Sequence, residues 1–336
     1  MKCYDKGEVI PLYSKKPPFE ITNEILEQVA QIAELVGHVN TVMGKSLNPT
    51  LRRTNRIRSI YSSLAIEQNT LSLEQVTAVL DGKRVLAPPK DIAEVKNAYE
   101  IYEMLDSLDP YSLEDLLNAH AVMTRGLVEE SGCFRSRPVG VVDGQGNILH
   151  LGSLPDYIPG LVRELLDWTQ NSDCHMLIKS CVFHYELELI HPFADGNGRI
   201  GRLWHTLLLT QWKNVFAWLP VESIIHDQQE GYYRAFNESN LMGESTPFIT
   251  FMLSAIRQAL EEAAQTAQTG GGESVGQLRL LRIERYLKQN QVITNKDVCR
   301  MLQVSASTAN RILLGLVKDG KLRKIRAGSS WAYTLP

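Results

Sequence analysis

The sequence predicts a mainly α-helical fold: a helical core carrying one β-hairpin, followed by a small basic unit. Three observations predict it. Apolar residues recur at spacings of three and four through most of the first 260 or so positions, the period of half-buried helices. Only between Gly132 and Pro155 does the period shorten, where RPVGVVDGQGNILHLG sets two short apolar runs around DGQGN, a hairpin pattern. Charge also divides unevenly along the chain. From Ser274 to Pro336 there are twelve Lys/Arg against three Asp/Glu, nine net positive charges, while the whole chain carries −3, so the rest carries −12. A basic tail on an acidic body predicts two units with different partners.

With 336 residues, 44% of them hydrophobic and 22% charged, the chain can bury a sizeable core and has the composition of a soluble globular protein. No run of eighteen apolar residues predicts a membrane span. The opening MKCYDKGEVIPLYSKKPPFE lacks the apolar stretch of a signal peptide. The five cysteines show no CxxC spacing, so the expectation is a reduced, cytoplasmic chain without a zinc site.

Taken in order, helices are expected from Thr22, where Ile25, Val29, Ile32, Leu35 and Val36 share a face, and over 49–67, with Asn48 as cap ahead of Pro49. LSLEQVTAVLDGK reads as a helix capped by Ser72 and stopped by Gly82. A Pro-initiated helix follows with Ile92, Val95, Ala98, Tyr99 and Tyr102 on one face, then YSLEDLLNAHAVMTRGL. After the hairpin come helices at 156–170 and 173–189, the apolar RLWHTLLLTQWK, QQEGYYRAFNESN and PFITFMLSAIRQALEEAAQ. AQTGGGES at 267–274 reads as a flexible linker. The expected division is 1–110 (N-terminal helical region), 111–262 (core), 263–274 (linker) and 275–336 (C-terminal unit).

Between the helices at 173–189 and at RLWHTLLLTQWK lies HPFADGNGRIGR, residues 191–202. Glycines at alternate positions open backbone conformations closed to other residues, so successive N–H groups can converge on one anion. A helix starting at Arg199 adds its N-terminal field. Arg199 and Arg202, three apart, share a helix face and can clamp two phosphates. Asp195 suits Mg2+, which takes one or two carboxylates alongside phosphate oxygens. His191 is placed to accept a proton from an attacking hydroxyl. A cluster of His184, His191 and His205 does not have usual metal-ligand spacing, and His184 is expected to be a hydrogen-bonded core histidine.

The twelve residues match at every defined position the pattern His-x-Phe-x-(Asp/Glu)-Gly-Asn-Gly-(Arg/Lys)-x-x-Arg, and the chain here resembles the Fic domain family (Fido fold) over roughly 50–255. The resemblance implies a helical core with a hairpin flap and, for most motif-complete members, transfer of AMP from ATP to a protein hydroxyl. It implies His191 as general base, Phe193 as buried anchor of the loop, and Asp195 holding Mg2+ between the α- and β-phosphates. Gly196, Asn197 and Gly198 become the anion hole, Arg199 meets the β/γ side and Arg202 the γ-phosphate. Tyr232, Tyr233 and Asn240 fall at the spacing of adenine-pocket residues, with core packing as the plain alternative for the tyrosines. The 139–153 hairpin resembles the flap that pins a protein substrate by strand addition, and GCFR at 132–135 resembles its lead-in. The intact Gly196-Asn197-Gly198-Arg199 favours attack at the α-phosphate over the family's phosphotransferase branch.

Upstream, SSLAIEQN resembles the family's inhibitory motif (Ser/Thr)-x-x-x-Glu-(Gly/Asn), through Ser63 and Glu67. The resemblance implies that Glu67 pairs with Arg202 and displaces the γ-phosphate. An arginine cannot fully serve a carboxylate and a phosphate together. Gln68 departs from the pattern, leaving Asn69 as a substitute at the helix end and local pairing of Glu67 with Arg58 as the plain alternative. Some relatives use this glutamate to remove AMP, so addition and removal both stand. A homodimer whose contacts relieve the brake is a further expectation from the family.

The tail resembles a winged helix: LRLLRIERYLKQN, TNKDVCRMLQ and VSASTANRILLGLVKDG as helices, then a two-stranded wing turning at AGSS. In that fold the third helix enters the major groove. Ser305, Ser307, Thr308, Asn310 and Arg311, with Arg323, Lys324 and Arg326 on the wing, are the candidate DNA contacts, and binding to protein is the alternative. The leading function is a protein adenylyltransferase using ATP and Mg2+ and restrained by Glu67. The alternatives are a nucleotide-sensing DNA-binding regulator and an enzyme that removes AMP.

Overall fold

The computed structural model describes residues 16–43, 49–142, 148–268, 274–302, 304–327 and 330–336. Helices α1 (Asn23–Met43) and α2 (Pro49–Ile66) open the fold. Thr22 Oγ1 accepts from the Ile25 amide at 3.2 Å and starts α1. Asn48, the expected cap of α2, lies outside the described residues. Helix α3 (Leu73–Leu80) has a full capping box between Ser72 and Gln75. Gly82, at φ +73°, ends that segment as expected. Helices α4 (Pro89–Glu103) and α5 (Leu113–Thr124) follow, the latter capped by Ser112.

Strands β1 (Gly140–Val142) and β2 (Ile148–Leu151) pair antiparallel, with Gly140 opposite Leu151 and a register shift after Val141. The expected DGQGN turn lies outside the described residues. The core continues through α6 (Ile158–Asn171), α7 (Met176–Ile190), α8 (Asn197–Trp212), α9 (Val221–Asp227), α10 (Gln229–Met242) and α11 (Thr246–Gln268).

Two apolar clusters share a wall. One joins α1, α9 and α11 to one side of α7 through Ile32, Val182, Phe248 and Ile256. The other joins α2 to α6 with α8 and the end of α7 through Leu64, Val95, Leu116, Phe183 and Trp204. Helix α7 is buried on nearly every side, its Lys179, His184 and Glu186 included. The 191–196 turn therefore leaves one buried helix and enters another, so its two ends cannot drift.

The tail comprises α12 (Ser274–Asn290), β3 (Ile293–Thr294), α13 (Asn295–Leu302), α14 (Ala306–Lys318), β4 (Arg323–Ala327) and β5 (Ser330–Thr334). Its strands form a sheet in the order β3-β5-β4, so the expected two-stranded wing gains a third short strand. The expected linker from 263 is corrected: α11 runs to Gln268 and α12 starts at Ser274. The Ala-, Glu- and Gln-rich EEAAQTAQ continues the helix because these are strong helix formers. Nor is the tail loosely tethered. Arg282 on α12 meets Asp227 at 3.1 Å and Glu262 at 2.7 Å, joining α12 to α9 and α11.

Candidate active site

His191 ends α7 in a left-handed conformation, φ 52° and ψ 61°. A non-glycine residue there costs about 1–2 kcal/mol and must be held. Arg135 holds it. Its Nε donates to the His191 carbonyl at 2.7 Å, its amide donates to the Pro192 carbonyl at 3.0 Å, and Nη2 reaches the Ser153 carbonyl. Ser153 N donates to the Ile190 carbonyl at 3.1 Å. One guanidinium thus ties the backbone of the candidate base to the exit of the hairpin. The imidazole is partly open, 19% exposed, with Nδ1 3.4 Å from the Glu188 carbonyl.

Phe193 is fully buried, as expected of an anchor, and stacks on His120 at 3.8 Å between centroids. His120 Nδ1 accepts from the Gly132 amide at 3.0 Å, which leaves Nε2–H to donate to the Asp195 carbonyl at 2.9 Å. Burial lowers the pKa of His120, consistent with this neutral tautomer. Asn197 clamps the turn from inside. Its Oδ1 accepts from the Phe193 amide and its Nδ2 donates to the Phe193 carbonyl, each at 2.9 Å.

Helix α8 starts at Asn197, two residues before the expected Arg199, because Gly196 takes φ +88° and turns the chain into the helix. The first-turn amides of Asn197, Gly198 and Arg199 therefore form the positive helix end. Asp195 Oδ1 accepts from the Gly196 amide at 2.6 Å and from Arg199 at 2.8 Å, while the side chain stays 43% exposed. Arg199 is 2% exposed and also meets Glu94 at 3.5 Å.

Arg202, 2% exposed, donates to the Ser63 hydroxyl at 3.0 Å through Nε. Its Nη2 donates to the Ser63 carbonyl at 3.0 Å and to Glu67 Oε1 at 2.7 Å. Burial works against the Arg202 charge, but Glu67, Tyr232 and Glu188 together outweigh it and the guanidinium pKa is raised. A Cβ built on Gly198 would collide with Glu67 Oε1 and lie 3.0 Å from Arg202 Nη1. The Glu67 carboxylate therefore lies over the first turn of α8, where an anion is favoured. The expected Glu67–Arg202 pair is formed, and Arg58 instead feels the charges of Arg282, Glu262 and Asp227.

Helix α2 reaches this position through a Schellman end. Asn69 N bonds the Leu64 carbonyl at 3.1 Å and Gln68 N the Ala65 carbonyl at 3.0 Å. Gln68 has φ 67°, the left-handed position that glycine or asparagine fills most easily. Asn69 is not the substitute. Its side chain donates to Glu94 at 2.7 Å and to the Asp91 carbonyl at 3.2 Å. Gln229 Nε2 donates to the Ile66 carbonyl at 3.1 Å, one residue before Glu67.

Tyr232, Tyr233 and Asn240 divide. Tyr232 is 3% exposed within the core, with its hydroxyl against His184 Nε2 at 3.1 Å, so the core-packing alternative describes its ring. The same bond makes His184 the expected core histidine. Tyr233, 43% exposed, is the open aromatic. Asn240 accepts from the Tyr185 hydroxyl at 2.9 Å, and its Nδ2 is buried without a protein partner. His184, His191 and His205 form no metal cluster among the described residues. Sequence reading missed Arg135's clamp on His191, His120, Glu94 and Glu188. Their roles come from tertiary approach, and only the GCFR resemblance touched one of them.

The Fic/DOC family model matches residues 110–209. The solved structure of a Fic family protein from Desulfovibrio desulfuricans G20 is 42% identical, covers 96% of this chain and 98% of its own, and superimposes with a TM-score of 0.73. Protein adenylyltransferase fic-1 of Caenorhabditis elegans is 28% identical over 268 residues, 74% of this chain and 49% of that protein. Protein adenylyltransferase Fic of Nematostella vectensis is 28% identical over 214 residues, 60% of this chain and 47% of that protein. The chain spans about half the length of the curated relatives it matches.

Proposed function

The chain belongs to the Fic family, and on that premise we propose that it is a protein adenylyltransferase that moves AMP from ATP to a Ser, Thr or Tyr hydroxyl, restrained by Glu67. The relatives named protein adenylyltransferases support the activity class. The observation that carries the reading is Glu67 over the first turn of α8 in the anion position, 2.7 Å from Arg202, with His191 ending the helix that packs against α8.

In this reading the acceptor oxygen bonds to the α-phosphorus, the bond from that phosphorus to the bridging oxygen breaks, and pyrophosphate leaves. The hydroxyl proton passes to His191 Nε2. The α8 amides and the two arginines stabilise phosphate charge, so positioning and electrostatics supply most of the acceleration. Asp195 fits Mg2+: it is a hard, half-exposed carboxylate with Oδ1 already oriented by two donors. Mg2+ held there would neutralise phosphate charge. The 139–153 hairpin offers an edge for a protein substrate, and Arg135 couples its exit to the base.

The test is pyrophosphate release from ATP with Mg2+. Glu67→Gly raises it about tenfold or more, because an anion no longer competes for Arg202. His191→Ala in that background lowers it by a factor of about 10²–10⁴, the usual worth of a general base. Asp195→Ala raises the Mg2+ requirement. Equal release from all variants would contradict the site assignment.

A second reading adds DNA binding by the tail, taken as a winged helix. The observation favouring it is on the wing: Trp331 is 55% exposed beneath Lys324 at 4.3 Å and near Arg326 at 5.7 Å, an aromatic and cationic face suited to a nucleic-acid backbone. On α14, Ser305 and Thr308 close the helix cap, leaving Ser307, Asn310 and Arg311 as exposed polar positions.

A further inference from the structure

A second carboxyl group faces the Arg202 pocket, and the proposed chemistry assigns it nothing. Glu188 lies on the last turn of α7, three residues before His191, with its side chain 14% exposed. Its Oε1 lies 3.2 Å from a Cβ built on Gly198 and 3.4 Å from one built on Gly201, so it faces the first turn of α8. Its Oε2 lies 3.9 Å from His191 Nδ1. Glu67 Oε1 and Arg202 Nη1 crowd the same Gly198 position. Two carboxyl groups and one guanidinium therefore meet over the first turn of α8, Arg202 and Glu188 largely buried and Glu67 35% exposed.

Two carboxylates against one arginine leave an excess negative charge in a place built for an anion. Sharing a proton relieves it. Burial first, and the Glu67 charge second, push the Glu188 carboxyl up to about 8. A neutral carboxylic acid has an O–H to donate, whereas its ionised form only accepts.

We propose that Glu188, as a neutral acid, is a hydrogen-bond donor to whichever anion occupies the Arg202 pocket: Glu67 in the restrained state, the terminal phosphate of ATP when Glu67 leaves. The proposal rests on the reading of Arg202 as the terminal-phosphate site. It makes Glu188 a residue that distinguishes ATP from ADP, since only ATP reaches this end of the pocket. It also makes ATP binding depend on pH. Below the Glu188 pKa the pocket presents a guanidinium and an acid O–H, and above it the guanidinium faces a carboxylate that repels phosphate.

The other charged and titratable groups facing Glu188 do not reproduce this. Glu67 on α2 is removed in the test host. Burial, the first cause of the raised Glu188 value, remains, and the bound terminal phosphate takes the place of the Glu67 charge. Arg202 on α8 has a raised pKa and stays charged. Tyr232 and Tyr233 on α10 are raised, chiefly by burial, and stay neutral. His184 on α7 is lowered well below its usual value by burial and is neutral as well. His191 is absent from the host.

The experiment is calorimetric binding of ATP and of ADP, with Mg2+, to full-length Glu67→Gly/His191→Ala protein between pH 7 and 9. The same titrations follow with Glu188→Gln or Glu188→Ala added. Expected for the host is an ATP affinity that weakens about tenfold or more across this range, the worth of one hydrogen bond to a charged group. Glu188→Gln, nearly isosteric and a donor at every pH, keeps the affinity and removes the pH dependence. Glu188→Ala weakens ATP binding about tenfold at pH 7 and leaves ADP unchanged. ATP binding that is equally strong and equally pH-dependent with and without Glu188, or ADP affected as much as ATP, overturns the inference while the proposed function stands. A host that binds neither nucleotide overturns both.

Discussion

The loop after α7 and the tail after α11 handle charge in opposite ways. In the loop, Arg199 and Arg202 are each 2% exposed, and each is matched by carboxylates from other parts of the chain. In the tail, Arg323, Lys324, Arg326 and Arg311 are exposed, whereas Arg282, with Arg285 beside it, is held in an ion-pair cluster with the core. Buried charge must be paired or it is strongly destabilising, so each loop arginine specifies its partners and its geometry. Exposed charge constrains little and acts through summed field, screened by salt. The loop's charges are fixed in one geometry, and the tail's are left open to solvent.

The largest stability effect should come where the tail departs from its own rule. Arg282→Ala leaves Asp227 without its arginine and Glu262 with Arg285 alone, 3.7 Å away, and breaking such a largely buried pair costs up to about 3–5 kcal/mol. Limited proteolysis should then cleave between α11 and α12 much faster than in wild type. Unchanged cleavage would mean that Arg282 behaves like the exposed cations, and the contrast would lose its exception.

A second effect belongs to the core alone. Burial lowers His205 from its usual value to about 4, and His184 beside it is lowered as well. Below the unfolded value near 6.5 the unfolded chain binds more protons, so stability is complete above that pH and falls as pH drops toward 4. For His205 the loss is roughly 3 kcal/mol. Denaturation midpoints between pH 7 and 4.5 check it. His205→Asn should flatten the curve, and a curve unchanged by that substitution would locate the acid sensitivity elsewhere.

The smallest effects are predicted on the wing. Lys324→Ala and Arg326→Ala should each change stability by no more than about 0.5 kcal/mol, as surface substitutions do. If the tail binds DNA, each removed phosphate contact should lower the slope of log affinity against log salt by about 0.9. A stability loss comparable to that of Arg282→Ala would show that wing cations are structural and would break the comparison.

The same difference governs what the sequence made legible. HPFADGNGRIGR identified the loop because burying charge and glycine in one turn leaves few alternatives at each position. Ser63, Glu67 and Arg202 were expected together and stand within hydrogen-bond distance. Gln68 looked like a departure, yet its backbone takes the left-handed turn that the motif needs. Helix α3 was readable from its capping box, whereas α9, seven residues long, has too few turns for a period to emerge. Glu94 was invisible because nothing local marks a carboxylate that meets an arginine only after folding, and Glu188, although three residues before His191, approaches Glu67 and Arg202 only in the folded chain. Tyr232 and Tyr233 are neighbours in sequence, but a helix turns about 100° per residue and sends one into the core and one outward.

The central claim is that this loop holds ATP for attack at its α-phosphate and that Glu67 restrains it. The most direct measurement is transfer of label to protein from α-labelled and from γ-labelled ATP, with Mg2+, by wild type, Glu67→Gly and Glu67→Gly/His191→Ala. The account predicts label from α-labelled ATP alone, raised by Glu67→Gly and abolished by the added His191→Ala. Label from γ-labelled ATP, or α-label undiminished by His191→Ala, would contradict it.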